Sequence, residues 1–208
     1  MTKFLYLILL LSTINVSSQN WTDSIIDKLD NKIYIVAKAS KAKSSFFSKK
    51  FNKNDTIITH IGLGYKTDKK FLVTHVTDRE DSKNALIIES LYDFTNTQNK
   101  TTHLSIWAIN SCNDELQDFI ENLKKMQSIV IEFDFDFKLN NGENKLYCSE
   151  FCYKVLSKTL PDTFKIKPQK IILEGLAKAY LKRNELVFYP VDFFQSLDLF
   201  EKVIEIKL

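Results

Sequence analysis

Strand-like and helix-like segments follow one another along this chain without a regular strand–helix–strand alternation. That order is the strongest constraint on its fold. Repeated βαβ units would lay down a parallel doubly wound sheet, whereas irregular mixing favours an α+β arrangement. The pattern runs as follows. Trp21 to Leu29 reads as a short helix, with Thr22 as cap and Trp21, Ile25, Ile26 and Leu29 on one face. Ile33 to Ala37 reads as a strand, and the Lys- and Ser-rich stretch Lys41 to Asn54 as loop or irregular helix. Thr56 to Tyr65 and Phe71 to Thr77 flank the turn Thr67-Asp68 and read as a hairpin. Ala85 to Ile88 and His103 to Ile109 are further strands. A helix from Asn113 or Asp114 to about Met126 carries Leu116, Phe119, Ile120 and Leu123 on one face. Ile129 to Phe137 alternates as a strand does, with Asp at 134 and 136, and Asn140-Asn141-Gly142 is a turn. Ser149 to Leu160, closed by Pro161, and Ile171 to Lys182 read as helices, and Val187-Phe188 and Val203 to Ile206 as final strands.

The first residues stand apart from this pattern. Lys3 precedes an unbroken apolar run from Phe4 to Leu11, and Val16-Ser17-Ser18 offers short residues before a cut. This is the layout of a secretory signal peptide, and the run is far shorter than the ~20 residues of a spanning helix. The expectation is a signal peptide over 1–18 and one domain over 19–208, exported to a periplasmic or extracellular space. A chain of 208 residues fits one domain and needs no metal or disulfide staple to fold. The formal net charge is only +3, which gives no electrostatic ground for a nucleic-acid partner. Three cysteines are an odd number, so in an oxidising compartment one thiol stays free or bonds between chains.

One of those thiols has a distinctive place. Cys148 stands between a turn and a helical pattern, at or just before a helix start. Unpaired N–H groups and the helix dipole favour negative charge there, so a lowered thiol pKa is expected. Cys152, beside Phe151 and Val155, reads as a packed apolar residue. A thiol nucleophile needs a base, and His60 in Thr59-His60-Ile61-Gly62-Leu63-Gly64 is the candidate. Gly62 and Gly64 on alternate positions leave room on one strand face for a close neighbour. The hairpin brings His75 near His60, where it can orient the imidazole, and Glu89 on the next strand competes for that role. His103 has no assigned role. The three histidines, 15 and 28 residues apart, match no compact ligand motif, so neither metal nor cofactor is expected.

These motifs resemble a circularly permuted papain-like hydrolase of the YaeF/YiiX group, related to the NlpC-type cell-wall peptidases. That group places His before Cys. Its Thr-His-hydrophobic-Gly motif is matched by Thr59-His60-Ile61-Gly62, and its Tyr-Cys-Ser-Glu-hydrophobic motif by Tyr147-Cys148-Ser149-Glu150-Phe151. An aromatic-Asp-x-x-Phe element is matched by Phe133-Asp134-Phe135-Asp136-Phe137, and the stretch Tyr189 to Phe194 resembles the group's closing Pro-hydrophobic-Asp element. The likeness covers roughly residues 31–200. It departs at Asp30-Asn31-Lys32, where the group often has Gly-Asp, at His75, where Glu is common, and at Cys152, where Val is usual. The last departure opens a bond between Cys112 and Cys152.

The resemblance implies a small antiparallel sheet packed against the helix that carries Cys148. It also implies a thiol hydrolase working through an acyl-enzyme, with Cys148 as nucleophile, His60 as base and His75 as orienting group. The substrates it implies are cell-wall peptides or lipid-linked amides and esters, with contact to a wall or membrane surface. The rival expectation is an exported binding module that keeps the scaffold without turnover.

Overall fold

The computed structural model describes residues 21–41, 45–54, 57–68, 70–78, 82–96, 101–142 and 144–208. The expected signal peptide lies outside them. No helix among the described residues is long and apolar enough to cross a membrane.

The frame is a six-stranded sheet made of β1 (Ile33–Ser40), β2 (His60–Lys66), β3 (Phe71–Val76), β4 (Leu86–Ser90), β5 (Thr101–Ile109) and β10 (Phe200–Lys207). Its order is β10-β5-β1-β2-β3-β4, and every neighbouring pair is antiparallel. β1 lies near the middle and is buried at seven of its eight positions. Both of its faces are covered, which is why it reads as a near-continuous apolar run rather than an alternating one. On one face Ile33, Ile35, Ala37, Ile61 and Leu63 meet the helices α4 (Asn113–Gln127) and α5 (Cys148–Thr159) through Phe119, Leu123, Phe151 and Val155. On the other, Tyr34, Val36, Phe71 and Val73 meet α1 (residues 21–26), the turn after it and α3 (Leu91–Thr95) through Ile25, Leu29, Leu91 and Phe94.

Helix α5 carries Cys148 as its first residue. Phe151, Cys152, Val155 and Leu156 are almost wholly buried. Each large apolar side chain removed from water contributes ~1.5–3 kcal/mol, so the helix is anchored along its length. Its start is held separately: Ser149 Oγ donates to the Tyr189 carbonyl at 2.6 Å, and the Tyr189 N–H donates to Tyr147 Oη at 2.9 Å.

Two expectations need correction. The strand expected over Ile129 to Phe137 shrinks to β6 (Glu132–Phe133), which pairs in parallel with β7 (Lys145–Leu146). Buried Asp134 ends it by accepting the backbone N–H groups of Asp136 and Lys138, each at 2.9 Å, which curls the chain into a turn. The helix expected over Ile171 to Lys182 splits into β8 (Gln169–Ile172) and α6 (Gly175–Leu181). Gly175 has φ +54°, a left-handed conformation no helix interior accepts, and Ile171 and Ile172 pair instead with β9 (Glu185–Phe188). The Lys-rich stretch contains α2 (Ser45–Phe51).

Candidate functional site

The site forms where β2 and β3 begin to part. Their ladder runs from Lys66↔Phe71 to Leu63↔Thr74, and beyond it lie His60 and His75. Gly62 lets the two strands stay close. A Cβ there would lie 2.9 Å from both His75 Cβ and Val73 Cγ1. Gly64 makes the same kind of room for the Phe71 ring.

Three side chains then connect in series. His60 Nε2 lies 2.8 Å from His75 Nδ1, and His75 Nε2 lies 2.9 Å from Glu89 Oε1. The side chains of His75 and Glu89 are 3% and 7% exposed, so water competes little for these bonds. The hairpin therefore brings His75 to His60. The two candidates for the third group are not alternatives: His75 touches His60, and Glu89 touches His75.

The order of donors and acceptors follows from elementary chemistry. An ionised Glu89 only accepts, so His75 presents N–H at Nε2. While His75 is neutral its lone pair is at Nδ1 and His60 donates to it from Nε2; once His75 is protonated beside Glu89, its Nδ1–H donates to His60 Nε2 instead. With His75 neutral, the lone pair of His60 is at Nδ1, where it can take a proton. The ring is also kept neutral. Burial first, then His75, then the Lys38 ammonium hold the His60 pKa well below 6.5. Lys38 stands opposite His60 across β1 and β2, with its Nζ 4.1 Å from the centre of the Phe94 ring and 2.5 Å from the Phe94 carbonyl oxygen. Phe94 packs against both imidazoles, with ring centres 5.8 Å from His60 and 5.0 Å from His75.

Cys148 is the first residue of α5, preceded by Tyr147 in extended conformation. Its sulfur lies against backbone N–H groups of Ile61, Ser149 and Cys148 itself. Ile61 is the residue that follows His60. The expected lowering of the thiol pKa does not hold. Burial outweighs these N–H groups and pushes Cys148 up to about 11. A helix start favours a thiolate, but here 8% exposure removes the water that would solvate it. Cys152 lies in the core, its thiol also raised by burial. Cys112, Cys148 and Cys152 are all free thiols, with Cys112 exposed at the start of α4, so the Cys112–Cys152 bond is not formed.

The remaining motif residues are structural. His103 lies on β5, on the far side of β1 from β2, 3.6 Å from Glu205. Asp192 accepts the N–H groups of Lys53 and Asn54, and Glu150 reaches the Asn140 N–H and Lys154. Lys38 and Phe94 carried no motif. Their signal was a lysine within the apolar run of β1 and an aromatic one turn after Ser90.

The chain is similar to a solved structure, that of the metalloprotein yiiX from Escherichia coli O157:H7, with a TM-score of 0.63, spanning 86% of this chain and 98% of that one. This chain has a yiiX-like fold. Identity is 15%, so the likeness is one of fold. No family description matches the sequence, and no curated protein matches it either. In the yiiX-like fold of this chain, no group of three or more His, Cys, Asp or Glu among the described residues is arranged to hold a metal ion.

Proposed function

We propose that this chain is an exported thiol hydrolase on a permuted papain-like scaffold, cleaving amide or ester bonds through an acyl-enzyme. The observation that carries the reading is the series Glu89–His75–His60 together with the Cys148 sulfur lying against the backbone N–H of Ile61, the residue after His60. Cys148 starts as a neutral thiol. Its sulfur bonds to the substrate carbonyl carbon as its proton passes to His60 Nδ1. The carbonyl oxygen becomes an oxyanion, and N–H groups at the α5 start are suited to receive it. The tetrahedral adduct collapses, the leaving amine or alcohol takes the proton from His60, and a thioester remains. Water then adds to the thioester with His60 as base, releasing the acid and restoring the thiol. His75 and Glu89 are positioning residues that hold the His60 tautomer.

The metal that yiiX is described as carrying has no fitting donor set in this site. Both nitrogens of His75, Nε2 of His60 and Oε1 of Glu89 are spent on one another in line rather than converging on a point. No step is routed through a metal. The likeness in fold to yiiX supports the scaffold and is neutral about chemistry.

A second reading is an exported binding module without turnover. The burial that pushes the Cys148 thiol up to about 11 favours it. The rate of Cys148 alkylation against pH, resolved by peptide mass spectrometry, separates the two. A hydrolase shows alkylation faster than its thiol pKa allows at neutral pH, falling when His60 is changed to Ala. A binding module shows a slow rate that ignores His60.

A further inference from the structure

Cys148 forms part of the wall of a crevice between the α5 start, α2 and β9. The crevice has about 350 Å³ of atom-free space, part of it open to solvent. Its walls are mostly apolar, with the rings of Phe51 and Phe188 beside Leu186 and Val191, and its polar side chains are uncharged: Ser48, Asn52, Ser149 and the hydroxyl-bearing Tyr147 and Tyr189. No lining side chain among the described residues is charged. These walls are fixed by the core beneath them. Phe51 and Phe188 pack with ring centres 5.6 Å apart, and Tyr147 is pinned to Tyr189 by the 2.9 Å bond.

Such a wall selects by chemistry. A charged group placed there would shed its hydration without meeting a counter-charge, whereas an apolar group gains free energy with each methylene buried. We infer that the substrate carries an apolar group, aliphatic or aromatic, next to the scissile carbonyl, and that this crevice receives it while Cys148 attacks. The inference rests on the thiol-hydrolase reading and narrows it. Of the amides and esters that reading admits, the substrates are those with an apolar acyl group rather than those with an acidic or cationic residue at that position.

The test is built so that the crevice and the chemistry fail separately. First, Cys148 is alkylated with N-alkyl iodoacetamides from methyl to decyl, and the rate at exposed Cys112 serves as the internal reference. The crevice predicts a Cys148 rate, relative to Cys112, that climbs at least tenfold along the series. Up to about fourfold is available for each methylene fully buried. Ser48 is a half-buried lining residue, so Ser48→Trp should fill the crevice without disturbing the core. That variant should flatten the series while leaving the methyl reagent unaffected. A flat series in the parent protein, or a Cys148 that reacts with none of the reagents, overturns the inference whatever the protein's activity. Second, acetyl and decanoyl thioesters are compared with an N-acyl glutamyl amide as substrates. Cys148-dependent turnover fastest on the decanoyl thioester supports the apolar acyl group. Turnover fastest on the glutamyl amide overturns it and leaves the hydrolase reading standing. A rising alkylation series without any turnover supports the crevice as an apolar site and removes the hydrolase.

Discussion

Two sets of buried polar side chains share this molecule, and they end differently. Asp134 and Asp192 are wholly buried, and both spend oxygen atoms on backbone N–H groups of nearby turns. Their charge holds a loop in place, and its interactions close on the scaffold. The Glu89–His75–His60 series instead passes from side chain to side chain and ends on the His60 ring, whose chain neighbour Ile61 lies against the Cys148 sulfur. The difference teaches how to separate a buried acid that shapes from one that works. Burial and hydrogen bonding are common to both. What distinguishes the second set is a terminal group with proton-accepting capacity left over.

The comparison can be broken by substitution. The largest effect is expected at the end of the open series. Cys148→Ala should lower turnover of an acyl thioester on the order of a thousandfold or more, with a melting temperature within a few degrees of the parent. A large loss of melting temperature would move Cys148 into the structural set. Next comes Glu89→Gln. A glutamine can donate to His75 Nε2, reversing both tautomers and putting the proton on His60 Nδ1, where it blocks the thiol. A loss of about a hundredfold or more is expected, with the reversal visible in the ring ¹⁵N shifts of His60. Unchanged shifts and unchanged rate would mean that the series carries no tautomer.

Asp134→Ala should do the opposite. Removing two charge-assisted bonds from a buried turn should cost about 2–4 kcal/mol in urea unfolding, while the rate per folded molecule stays put. The smallest effect sharpens the picture from the side. Lys38→Met removes a cation that helps hold His60 below 6.5, so the acid limb of the pH–rate profile should move upward in pH. The sign carries over to stability. His60 binds a proton less readily folded than unfolded, so stability falls as pH drops below 6.5 toward the folded value. In Lys38→Met that fall should be shallower, and urea midpoints measured against pH would register it.

Much of this arrangement was legible in the residues. The turn at Thr67-Asp68 between two β-rich runs was enough to place His75 beside His60, and the turn before Cys148 was enough to put it at a helix start. Gly62 and Gly64 announced a close neighbour on one face, which is His75 for one and Phe71 for the other. Other features depend on packing that no local pattern encodes. Glu89 could be named only as a rival to His75, because whether a third group stands beside the second or behind it depends on strand register. The Cys148 thiol was expected to be acidic because a helix dipole is a local property, whereas the burial that overrides it comes from tertiary packing. Ile171 to Lys182 has the spacing of a helix, yet the pairing with β9 and the left-handed Gly175 won there.

The site also has a history in time. His60, His75 and Glu89 come from three consecutive strands of one meander, where contacts close over short stretches of chain. Cys148 comes to β2 only when α5 docks from more than fifty residues further on, and the start of that helix is clamped by Tyr189, later still. The sheet is finished by β10, which pairs with β5 across about a hundred residues. Contacts of long sequence separation pay more loop-closure entropy and form late. The Glu89–His75–His60 series therefore closes over short stretches of chain, whereas the placing of Cys148 against Ile61 waits on contacts of long sequence separation.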